Sequence, residues 1–79
     1  MSRAEIIKRC REYCEAHFGK KDLPEDADFH SDFYADPLDH IEMIDFVLEE
    51  FDISATDDEM YAVLTFRDLV DLIEGKLLS

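Results

Sequence analysis

The chain has 79 residues, with 21 Asp and Glu against 8 Lys and Arg, for a formal net charge of −13. At that length one modest core is the most a chain can build, and 47% apolar residues are enough to build it, so residues 1–79 are expected to form a single domain. The charge argues against nucleic-acid phosphates and anionic membranes and in favour of partners with basic patches. No apolar run approaches the ~20 residues of a membrane span and no signal-peptide pattern opens the chain, so the expected setting is cytoplasmic.

The charge is unevenly placed. Residues 1–21 hold six cations and three acids, net +3, which leaves two cations and 18 acids, net −16, for the remaining 58. Seven of those acids fall between Asp36 and Asp52.

Ser2 followed three residues on by Glu5 reads as a capping box, and Ile6, Ile7, Cys10, Tyr13, Cys14 and Phe18 then recur at spacings of three and four. Gly19 ends that stripe, with Lys20 and Lys21 at the negative end of the dipole, so the first helix is predicted over 3–18. Residues 19–36 lack a helical period and form a long loop, pinned by Leu23, Phe29, Phe33 and Tyr34.

A second helix is predicted over roughly 37–51. Asp36 suits the N-cap, Pro37 the first helical position, where a missing N–H costs nothing, and Asp39 the first turn. Leu38, Ile41, Ile44, Val47, Leu48 and Phe51 read as its buried stripe, and Asp39, Glu42, Asp45, Glu49 and Asp52 as a separate acidic one. Thr56 with Glu59 caps a short third helix, and Thr65 with Asp68 starts a fourth carrying Phe66, Leu69, Val70, Leu72, Ile73 and Leu77. Gly75 is expected to fray its end, with Leu77 and Leu78 still packing. No run alternates long enough for a strand. The fold class is all-α: four helices, a long first loop and a short third helix.

Several side chains invite chemical readings. Cys10, Cys14 and His17 share a helix face but lack a fourth ligand, so buried thiols acting as small hydrophobes are preferred over a metal site. A disulfide one helical turn apart fits poorly. Asp32, Asp36, Asp39 and His40 are read as loosely attracting counterions, and His40, with no partner nucleophile, as an exposed helix histidine. Tyr13 and Tyr61 read as core or partial core. Phe46, off the main stripe among Glu42, Asp45 and Glu49, is the exception: exposed, it would be an apolar anchor.

Tyr34-Ala35-Asp36-Pro37-Leu38-Asp39-His40-Ile41-Glu42-Met43, followed by Leu48-Glu49-Glu50-Phe51-Asp52-Ile53, resembles the acyl and peptidyl carrier protein family. That family typically reads Gly-x-Asp-Ser-Leu and an acid there, continuing into an acidic helix that ends in Glu-Glu-Phe. Thr56-Asp57-Asp58-Glu59 and Val63-Leu64-Thr65-Phe66 stand where carriers place the third helix and the start of the fourth, and no insertion is needed from Asp36 through Ile73. The resemblance implies a four-helix carrier-protein-like bundle that is not an enzyme.

The departure lies at the family's attachment serine, where this chain has Pro37, and at the glycine before it, where this chain has Tyr34. Proline has no hydroxyl to bear a phosphodiester, so phosphopantetheine is not expected, and no motif surrounds Ser31 to suggest a relocated site. The resemblance further implies docking of a basic patch on an acyl-handling fatty-acid, polyketide or related enzyme. Asp36, Leu38, Asp39, Glu42, Met43, Asp45, Phe46 and Glu49 would form the contact, in a monomer serving as scaffold or regulator. A plain solvated face is the alternative reading of the charge run. Two other functions stay open. One is a carrier that still handles acyl groups, non-covalently or through another serine; the other is an acidic mimic of nucleic acid.

Overall fold

A computed structural model of the chain describes residues 1–19, 24, 26–29 and 37–78. Its helices are α1 (Arg3–Phe18), α2 (Pro37–Glu50), α3 (Asp57–Tyr61) and α4 (Phe66–Leu78). The expectations placed on Lys20, Lys21, Leu23, Ser31, Asp32, Phe33, Tyr34 and Asp36 lie outside the described residues.

The helix ends follow their local chemistry. Ser2 Oγ accepts from the Glu5 N–H, and Gly19 closes α1 at φ 70°. That left-handed conformation strains any residue with a Cβ. Thr56 and Glu59 form a reciprocal capping box for α3. At the start of α4, Thr65 Oγ1 accepts from the Asp68 N–H while the Asp68 carboxylate accepts from the Leu64 and Thr65 N–H groups. The α2 terminus is a Schellman motif, in which Ile53 N–H donates to Leu48 O and Asp52 N–H to Glu49 O. Asp52 takes the left-handed position there at φ 58°.

α1 packs against α4 and α2, and α2 against α3. The shared core holds Ile6, Cys10 and Cys14 from α1, Met43, Ile44, Val47 and Leu48 from α2, Met60 from α3, and Phe66, Leu69, Val70 and Ile73 from α4. The loop also contributes: Ala27 and Phe29 are buried. Phe29 N–H donates to Leu64 O and Phe66 N–H to Ala27 O, a single antiparallel bridge that ties the segment to the α3–α4 connection. Arg3 clamps the far ends of α1 and α4, donating to Asp71 at 2.8 Å and to Glu74 at 3.1 Å.

Four expectations are corrected. Leu38, assigned to the buried stripe, is 67% exposed. It lies nine residues from Val47, which at about 100° per residue puts it on the opposite side of the helix. His40, expected exposed, is 3% exposed, because seven residues before Val47 returns almost to the same angle. Tyr61, read as core or partial core, is 60% exposed, since the single short turn of α3 buries its neighbour Met60 instead. The last helix runs through Gly75 to Leu78 without fraying, yet Leu78 is exposed because the inward face of α4 ends at Ile73.

Cys10 and Cys14 are free and buried, as small hydrophobes would be. Burial pushes both thiols up to about 12, with the charge of Cys14 adding to the effect on Cys10 and that of Glu15 to the effect on Cys14. The Cys14 Sγ lies 3.8 Å from Met43 Sδ.

Backbone and thiols each give a stability test. Gly75 has nothing within 4 Å of a built Cβ, so Gly75→Ala should stabilise by about 1 kcal/mol in urea unfolding, whereas Gly19→Ala, in the left-handed conformation, should destabilise by a similar amount. An unfolded thiol ionises near ~8.5, and the folded ones only near about 12. Between those values the unfolded chain binds fewer protons, so stability falls as pH rises. Urea midpoints measured across this range should fall more steeply for the native sequence than for Cys10→Ala/Cys14→Ala; identical slopes would refute the assignment.

Candidate functional site

The exposed face of α2 is set by what the opposite face buries. Met43, Ile44, Val47 and Leu48 point into the core with His40 and Phe51, and His40 packs its ring against Phe29, 5.6 Å between centroids. Phe29 in turn is held by the bridge to the α3–α4 connection, so the first turn of α2 is fastened to two other parts of the chain. This leaves Leu38, Asp39, Glu42, Asp45, Phe46, Glu49 and Glu50 facing solvent. Within this set, Glu42, Asp45 and Glu49 lie on one side of the helix around Leu38. Phe46 turns toward α1, where its ring meets Tyr13 edge to face at 6.0 Å.

Of the residues read from sequence as a contact set, the structure brings Leu38, Asp39, Glu42, Asp45, Phe46 and Glu49 onto one surface. Met43 is corrected: it is fully buried against Cys14 and backs the face without reaching it. The spacing Met43–Val47, one turn apart, carries that signal. Asp36 lies outside the described residues. Pro37 is the first residue of α2.

Two of the chain's cations are engaged elsewhere. Arg3 is bound to Asp71 and Glu74, and the hydrogen bond it donates to Asp71 is the main reason its guanidinium pKa is raised. Lys76 pairs with Glu59 at 2.9 Å. Glu59 is held below the usual carboxylate range by the Thr56 backbone N–H first and by Lys76 second. Among the described residues, no salt bridge engages Glu42, Asp45, Glu49 or Glu50. Glu49 and Glu50 also crowd the end of α2 where the helix dipole is already negative, and no basic residue occupies its last turn. The surface is therefore strongly anionic, with two apolar side chains set into it.

The described residues include no group of three or more His, Cys, Asp or Glu arranged to hold a metal ion. None of their helices is long and apolar enough to cross a membrane. Sequence reasoning missed one exposed apolar residue, Leu64, next to the bridge that holds Phe29. Its position after the short α3 offers no periodic signal.

No family model matches the chain. Curated proteins do. It is 32% identical over 72 residues to acyl carrier protein 2 of Pseudomonas aeruginosa, covering 89% of this chain and 91% of that one. Against an acyl carrier protein of Thermosynechococcus vestitus the identity is 31% over 80 residues, with 98% of each chain covered. A Buchnera aphidicola acyl carrier protein matches at 42% over 54 residues, 68% of each. These relatives are named as carriers and not as enzymes. With four helices in the expected order and near-complete coverage of relatives above 30% identity, the chain belongs to the acyl carrier protein family.

Proposed function

We propose that this chain is a carrier-protein-like module that acts by docking, without covalent carriage, on an acyl-handling biosynthetic enzyme that presents a basic patch. The observation that carries the reading is the α2 face. Glu42, Asp45 and Glu49 stand exposed without a salt bridge among the described residues, around Leu38 and beside Phe46. A surface of that kind steers a basic partner and offers it two apolar contacts. At the first position of the same helix, where the family resemblance places the attachment serine, the side chain is proline, which has no oxygen to esterify. The module works as a single-domain monomer in scaffolding or regulation, and carries neither phosphopantetheine nor a metal.

Two measurements test this. Affinity capture from the native organism should recover an acyl-handling enzyme, and Glu42→Lys/Glu49→Lys should cut the affinity at least about tenfold, since close interfacial charge pairs couple by ~1.5 kcal/mol or more. The affinity should also fall as salt rises. Incubation with a phosphopantetheinyl transferase and coenzyme A should leave the mass unchanged, whereas Pro37→Ser should gain one phosphopantetheine. A gain on the unaltered chain would establish covalent carriage through another residue and overturn the proposal.

A further inference from the structure

We infer that the Phe46 edge of the α2 face is an arginine-selective subsite, so that the partner's central cation is a guanidinium and not an ammonium. This rests on the docking reading and specifies the partner's chemistry. Phe46 is 43% exposed, an unusual place for a large aromatic ring on a helix otherwise lined by carboxylates. Its edge-to-face contact with Tyr13 is continued by a second, at 6.1 Å, between Tyr13 and the buried Phe51. One side of the Phe46 ring is therefore packed against α1, and its outer part lies in water.

Glu42, four residues before it, and Glu49 and Glu50, three and four after it, are its neighbours on the helix surface. None of them forms a salt bridge among the described residues. A carboxylate beside an aromatic ring can be satisfied by either basic side chain, but the two differ in what else they gain. Ammonium is a compact, strongly hydrated point charge. Guanidinium is planar and weakly hydrated; it stacks on the ring while its N–H fork donates to the carboxylate. The pairing has a counterpart within the chain, where the Arg11 guanidinium carbon lies 5.7 Å from the centroid of the Phe66 ring. Leu38, two turns before Phe46, supplies the apolar contact that sets the approach of a partner helix along the face.

The test uses two helical peptides, identical except for Arg or Lys at a pair of positions four apart, titrated into the full chain and its variants at low salt and followed by NMR at the backbone amides of α2. The arginine peptide should bind about two- to fivefold more tightly. Phe46→Tyr, which keeps the ring, should retain that preference, and Phe46→Leu should erase it while both peptides still bind. Equal affinities on the native chain, or a preference that survives Phe46→Leu, would overturn the inference. If the peptides bind equally and Glu42→Lys/Glu49→Lys abolishes both, the docking reading stands and arginine selection alone falls. If neither peptide binds the native chain, both fall together.

Discussion

The rotation of α2 about its own axis is the constraint on which the rest of this molecule depends. Met43, Ile44, Val47 and Leu48 are fully buried, and a helix with 3.6 residues per turn has no freedom left once four consecutive inward positions are occupied. Every outward residue then has its direction assigned. The acids face solvent because Met43, Ile44, Val47 and Leu48 take the inward positions between them. Burying a Val, Leu, Ile or Met side chain is worth roughly 1.5–3 kcal/mol each, far more than the repulsion among exposed carboxylates in water costs. The anionic face can therefore be maintained as long as the core behind it is intact.

Two basic residues of α1 are engaged away from α2. The first 21 residues carry a net charge of +3, which suggests a basic helix able to neutralise α2. The structure uses the charge differently: Arg3 ties the start of α1 to Asp71 and Glu74 on α4, and Arg11 lies over Phe66 at the start of α4. Both act on α4, whereas Tyr13 meets α2. What joins α1 to α2 is apolar and aromatic: Cys14 against Met43, and Tyr13 between Phe46 and Phe51. Among the described residues, no salt bridge engages Glu42, Asp45, Glu49 or Glu50 on the outer face of α2.

Much of this was legible in the chain. The three capping pairs, Ser2 with Glu5, Thr56 with Glu59 and Thr65 with Asp68, are local, and each marks a helix start within a residue. Gly19 marks an end for the same reason. The acidic stripe was visible because charge at helical spacing is a one-dimensional pattern. Residue type misleads near the start of α2, where an apolar Leu38 suggests the inside and a polar His40 the outside. The helical angle decides instead: His40 keeps step with Ile44 and Val47, and Leu38 does not. The Phe29 bridge to Leu64 and the Arg3 clamp could not be read at all, because they join residues 35 and about 70 positions apart with no pattern linking them.

Position 37 separates shape from chemistry within a single residue. At the first position of a helix the backbone N–H has no intrahelical acceptor, and φ near −65° is what the helix requires, so proline is as good a start as serine. Among the described side chains of α2, the core contacts begin at His40, and the bridge that holds Phe29 pairs Asp28 with Thr65. Proline and serine are thus alike as a start for this helix, whereas only serine offers an oxygen that could be esterified.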